Sequence, residues 1–95
     1  MNLNRRNPRR DANERAIVQA LTQLPGCIVY RQSGPGLPDL LVGYRKQWVM
    51  LEVKGPRGRS EPLQIAFHAT AQALGLPCHT VRNVDQALQA LGVKA

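Results

Sequence analysis

At 95 residues the chain is long enough for one domain with a sheet and a few helices, but close to the size at which a single core is only modestly stabilising. No apolar run is long enough to cross a bilayer, and the N-terminal stretch lacks the apolar segment of a secretory signal, so a soluble, intracellular, cytoplasmic protein is expected. Thirteen Lys and Arg against six Asp and Glu give a formal charge of +7, which favours a polyanionic partner: nucleic acid first, with an acidic membrane surface poorly served because no basic amphipathic helix is evident.

Residues 1–10 (MNLNRRNPRR) show no hydrophobic period, contain Pro8 and carry Arg5, Arg6, Arg9 and Arg10; they read as a flexible basic arm, and residues 11–95 as a single domain. From Asp11 the pattern changes. Ala16, Ile17, Ala20, Leu21 and Leu24 recur at helical spacing, Asp11 can cap the start and Pro25-Gly26 the end, so the pattern predicts a helix over 12–24. Cys27 to Arg31 reads as a short strand, Ser33-Gly34-Pro35-Gly36 as a turn, and Leu37 to Gly43 as a second strand. A polar loop, Tyr44 to Gln47, precedes a third strand, Trp48 to Lys54, which Gly55-Pro56 ends; Gly55 to Ser60 (GPRGRS) has the content of a mobile cationic loop.

Ser60 is placed to cap a helix that tolerates Pro62 in its first turn, presents Leu63, Ala66, Phe67, Thr70, Ala71 and Leu74 on one face, and stops at Gly75. Pro77 leads into a strand, Cys78 to Arg82. Asn83 and Gln86 then make a capping-box-like start to a last helix, with Val84, Ala87, Leu88 and Leu91 facing inward as far as Gly92. The order αβββαβα predicts an α/β domain with a mixed sheet flanked by helices. Cys27 and Cys78 form neither a paired metal motif nor a redox dithiol motif and read as reduced, buried thiols. With His68 and His79 they offer no zinc-ligand spacing.

The chemistry concentrates in "WVMLEVKG". Alternation puts Glu52 and Lys54 on the Trp48/Met50 face of the third strand, and Val49, Leu51 and Val53 on the other. If Tyr44 to Gln47 close the hairpin, Gly43 pairs with Trp48 and Asp39 with Glu52, bringing two carboxylates to one face with Cβ atoms about 5 Å apart. Two opposed carboxylates destabilise a hairpin unless positive charge lies between them, and a divalent cation such as Mg²⁺ or Mn²⁺ supplies it. Mg²⁺ takes one or two carboxylates, waters and a substrate phosphate; Asp39 and Glu52 fit the first requirement, and the Val53 backbone carbonyl, between the two active-site side chains, is a third oxygen. Lys54 is then placed to orient or help deprotonate a metal-bound water and to offset charge on a pentavalent phosphate. The competing reading is a solvated strand end, with Asp39 a turn residue after Pro38.

Pro38-Asp39 followed by Glu52-Val53-Lys54 resembles the PD-(D/E)xK nuclease superfamily. More narrowly, Glu14 on the first helix, "GPGLPDLLVG", "LEVKG", and Ser60 and Gln64 opening the next helix resemble the virus-type replication-repair nuclease (VRR-NUC) domains over roughly residues 11–92. The resemblance implies a restriction-endonuclease-like core, a metal held by Asp39, Glu52 and the Val53 carbonyl, and Lys54 as catalytic lysine. It implies that Gln64 positions the lysine, the water or the phosphate, and that Glu14 lies at the site edge, contacting a metal through water or serving a second one. For Glu14 a helix-capping role with Asp11 is an equal alternative. It further implies a structure-selective DNA endonuclease of replication, recombination or repair, similar to Holliday-junction resolvases, which works as a homodimer on branched DNA. A DNA-binding accessory protein without turnover, or a nuclease without branch selectivity, are the alternatives.

Around this centre Arg57 and Arg59 are placed to clamp a phosphate backbone, and Arg5, Arg6, Arg9 and Arg10 to track a neighbouring strand; Arg31, Arg45 and Lys46 are weaker candidates. His68, one turn after Gln64, reads as structural or solvent-facing. Trp48, Met50 and Phe67 read as core rather than as base-stacking platforms. Tyr30 and Tyr44 can stack on DNA, but four aromatics in the chain argue against a single-strand platform.

Overall fold

The computed structural model describes residues 8–93, with side chains from residue 12 onward. The elements follow the expected order: α1 (Pro8–Thr22), β1 (Ile28–Arg31), β2 (Leu40–Tyr44), β3 (Gln47–Val53), α2 (Pro62–Ala73), β4 (Cys78–Val81) and α3 (Val84–Ala90). They form one sheet in the order β1-β2-β3-β4, antiparallel except for the parallel β3/β4 pair that α2 connects.

The described part of α1 opens on Pro8, four residues before the expected start. Proline at a helix start forfeits no intrahelical hydrogen bond and presets φ, and the arginines and alanine that follow are good helix formers. Residues 8–10 of the expected basic arm are therefore helical, Asp11 sits inside the helix rather than capping it, and residues 1–7 lie outside the described residues.

Gly43 pairs with Trp48, as the hairpin count required, but the ladder runs one pair further, to Tyr44 and Gln47. The loop is only Arg45-Lys46, both left-handed with φ of 50° and 68°. Positive φ at both central positions gives a turn whose twist matches a β-hairpin, an arrangement glycine or asparagine ordinarily supplies. The Arg45 guanidinium lies 5.0 Å from the Tyr44 ring centroid, a cation–π contact at the turn.

Strand alternation divides the sheet into two unlike faces. Leu40, Val42, Val49, Leu51, Val53 and Val81 bury one face against Ile17 and Leu21 of α1, Ala87 of α3 and Leu91 at the C-cap of α3. The opposite face carries Ile28, Tyr30, Leu41, Trp48, Met50, Glu52 and Cys78, and α2 crosses it near β3 and β4.

α2 is rotated from the expected orientation. Its N-cap is Glu61 rather than Ser60, with Pro62 in the first turn. The stripe toward the sheet is Gln64, Phe67, His68 and Ala71, whereas Leu63, Ala66, Thr70 and Leu74 are exposed. The sheet beneath this helix is polar, so hydrogen-bonding partners outweigh burial of the two leucines. α3 meets expectation more closely. Asn83 Oδ1 accepts from the Gln86 backbone N–H at 2.8 Å, although the Gln86 side chain accepts from the N–H of Arg82 rather than completing a box with Asn83.

Candidate active site

The site forms where β2 begins and β3 ends. Leu40 pairs with Leu51, so the next positions outward are Asp39 and Glu52, in the expected register. The backbone N–H of Val53 donates to Asp39 Oδ2 at 2.8 Å, fixing that carboxylate across the Glu52–Val53 peptide. Gln32 braces the approach to Asp39: its N–H donates to the Asp39 carbonyl at 2.8 Å and its side-chain amide to the Pro38 carbonyl at 3.0 Å.

Glu52 is 1% exposed and Lys54 8%, so both lie beneath α2 rather than on a solvated strand end. The Lys54 ammonium is 3.6 Å from Glu52 Oε2. Gln64 joins them. Its Oε1 accepts from Lys54 Nζ at 2.7 Å and from the Glu61 N–H at 2.8 Å, and its Nε2 donates to Glu52 Oε2 at 3.0 Å. The helix-capping contact therefore also fixes the amide that orients the acid and the base.

Three contacts that the sequence offered no pattern to find hold the end of β3. Asn13 Nδ2 donates to the carbonyls of Lys54 at 2.9 Å and Arg82 at 2.8 Å, tying α1 to the ends of two parallel strands. Arg82 Nη1 donates to the Gly55 carbonyl at 2.6 Å. Gly36, at φ +77°, lies against the first turn of α2: a Cβ there would be 2.9 Å from both Leu63 Cβ and the Leu63 carbonyl oxygen. That close approach sets where α2, and hence Gln64, sits over the sheet.

Glu14 follows Asn13 on α1 and pairs with Arg31 of β1 at 3.3 Å. With Asp11 inside the helix, the capping alternative for Glu14 does not apply. Arg57 and Arg59 are exposed in the loop just beyond Lys54. Arg9 and Arg10 belong to α1, but their side chains, like all of Arg5 and Arg6, lie outside the described residues.

His68 is half-buried one turn after Gln64, with Nδ1 3.6 Å from Cys78 Sγ. Burial first, then the charges of His79 and Lys54, push its pKa down, favouring the neutral imidazole. The Cys78 thiol is pushed up to about 11 by burial and then by Glu52, and burial raises Cys27; both thiols are half-buried rather than fully enclosed. Met50 and Phe67 are half-buried, but the core reading fails for Trp48, which is 54% exposed. An open groove of about 710 Å³ runs along the outer edge of β4, lined by Ser60, His79, Thr80 and Arg82 among others, and touches none of Asp39, Glu52, Lys54 or Gln64.

Asp39, Glu52 and the Val53 carbonyl offer oxygen ligands only, a set that suits a hard divalent cation completed by water and phosphate. Among the described residues no group of three or more His, Cys, Asp or Glu side chains comes together to enclose a metal, which leaves this smaller set as the candidate. No protein-family model matches the chain, and no curated protein does. Among solved structures, the chain is similar to one described as a VRR_NUC domain, with a TM-score of 0.75 and 22% identity over 88% of this chain and 95% of the other. The mixed four-stranded sheet, its flanking helices and this likeness together give the chain the restriction-endonuclease-like α/β fold of a VRR-NUC domain.

Proposed function

We propose that the protein is a Mg²⁺- or Mn²⁺-dependent DNA endonuclease acting at the Asp39, Glu52, Lys54 and Gln64 site. The observation that carries this reading is the buried acid and base at the end of β3, joined by one amide and flanked by Asp39. Ion pairs on strand ends are ordinarily solvated, and burying one is worthwhile where chemistry uses it. Asp39, Glu52 and the Val53 carbonyl hold the cation, with Glu14 at the edge. When bound, the cation neutralises charge on the scissile phosphate and lowers the pKa of a water. Lys54 places its ammonium beside the phosphate, and Gln64 holds the ammonium and the Glu52 carboxylate in one arrangement. Arg57 and Arg59, with the arginines of the N-terminal segment, take the DNA backbone.

The substrate is branched DNA in replication, recombination or repair, and the working unit is a homodimer whose two sites serve two strands. One flank of α2 supports the dimer: Leu63 and Leu74, with nearby Leu76, are at least half exposed and form an apolar surface suited to a second copy. The test is cleavage of matched linear, flap, splayed-arm and four-way-junction DNA with Mg²⁺ by the native protein and Glu52→Ala. Branched substrates cleaved first, with activity lost in the variant, bear the reading out. Equal cleavage of linear duplex removes the branch selectivity, and salt-sensitive binding without cleavage by folded protein points to the accessory-protein reading.

A further inference from the structure

Trp48 and Tyr30 lie on the same sheet face as Glu52 and Lys54, 54% and 51% exposed, with ring centroids 6.3 Å apart and planes tilted by 39°. Trp48 is exposed without being loose. Gly43, its cross-strand partner, leaves room for the ring: a Cβ there would sit 3.0 Å from Trp48 Cζ3 and 2.9 Å from Ile28 Cγ2. Beside it is a groove of about 330 Å³ lined by Ile28, Gly43, Trp48, Arg45 and Lys46, with no carboxylate in its lining among the described residues.

We infer that Trp48 and Tyr30, with the hairpin cations Arg45 and Lys46, form a binding site for an unpaired nucleotide of the DNA substrate. An aromatic face held against the sheet stacks on any base; Lys46 beside it suits an adjoining phosphate, and Arg45, whose guanidinium rests on the Tyr44 ring, adds positive charge at the turn. The inference rests on the nuclease reading and deepens it, because it specifies a substrate with a single-stranded segment near the cut. From Trp48 to Glu52 is four residues along β3, about 13 Å at ~3.3 Å per residue. That is about four nucleotide steps at the ~3.4 Å spacing of a duplex strand, so the unpaired base lies a few nucleotides from the scissile phosphate. A second copy suits this groove less well than it suits α2, since a twofold contact here would bring the Arg45 and Lys46 of both copies together.

Trp48 is the chain's single tryptophan, so its fluorescence reports the site directly. The experiment titrates native protein in EDTA, which separates binding from cleavage, with a blunt duplex and with the same duplex carrying an oligothymidine tail. The tailed duplex should quench Trp48 and the blunt one should not. Trp48→Ala should weaken binding of the tailed duplex by about 5- to 150-fold while changing blunt-duplex affinity little, and Trp48→Phe should restore most of the loss. Equal losses on both duplexes, or quenching by neither, overturn the site. Emission that depends on protein concentration, with Trp48→Ala turning a dimer into a monomer, gives the surface to a second copy and overturns it as well. Loss of tail dependence while Glu52-dependent cleavage persists removes the nucleotide site alone. Tail-dependent quenching without any cleavage keeps the site and removes the nuclease reading.

Discussion

The buried pair of Lys54 and Glu52 makes a prediction whose size follows from the coordinates. At 3.6 Å, with an effective dielectric of about 20, the attraction is about 4.6 kcal/mol, most of which the desolvation of two groups under 10% exposed offsets. Removing one partner exposes that offset. Glu52→Gln leaves the ammonium with the Gln64 carbonyl, and Lys54→Met leaves the carboxylate with the Gln64 amide, so each should cost about 3 kcal/mol. The double variant has no charge to strand, and its loss should fall short of the sum by about 2–4 kcal/mol. Urea unfolding followed by circular dichroism, with a common m-value, measures the cycle. Mn²⁺ adds a functional arm: a cation at Glu52 replaces the charge that Lys54 supplied, so saturating Mn²⁺ should reduce the destabilisation in Lys54→Met. Additivity within about 0.5 kcal/mol would refute the coupling, and a Lys54→Met loss indifferent to Mn²⁺ would refute the placing of the cation beside Glu52.

Gly36→Ala should destabilise the fold by at least about 1–2 kcal/mol from its left-handed backbone alone. Because the new Cβ meets Leu63 at 2.9 Å, it should also lower kcat through displacement of Gln64, as single-turnover cleavage against a urea midpoint will show. Arg57→Ala with Arg59→Ala should reduce the slope of log affinity against log salt by up to about 1.8 on duplex DNA, measured by fluorescence anisotropy; an unchanged slope would place both side chains off the DNA. His68 has a depressed folded-state pKa, so the native state takes up its proton less readily than the unfolded chain. Its contribution to stability is complete above the ordinary histidine value near 6.5 and is lost as pH falls below it. Unfolding free energies across pH 5 to 8 should show that slope in native protein and a shallower one in His68→Gln.

What was legible in the sequence was whatever a strict period controls. Two-residue alternation fixed the faces of β3, and counting back from one hairpin put Asp39 opposite Glu52 even though the turn proved two residues shorter. Helix orientation was less legible, because the apolar stripe of α2 predicts burial only when the surface beneath it is apolar. Here Gln64 and His68 face Glu52, Lys54 and Cys78, and the leucines are left outside. Trp48 misled for a related reason: a large apolar residue beginning a buried strand reads as core, and the exposure of this end of the sheet depends on where α2 crosses. Asn13 and Arg82 act on backbone carbonyls far away in sequence, and such contacts leave no local pattern.

The site's central claim is that Asp39 and Glu52 hold a divalent cation used to hydrolyse DNA. Its most direct test is Mg²⁺-dependent cleavage by native protein, Asp39→Asn and Glu52→Gln, each verified as folded and as binding DNA in EDTA. Native protein should cleave with an activity that EDTA abolishes, and each variant should lose about 10²-fold or more with DNA binding retained. Cleavage that survives either substitution or the removal of metal would contradict the claim.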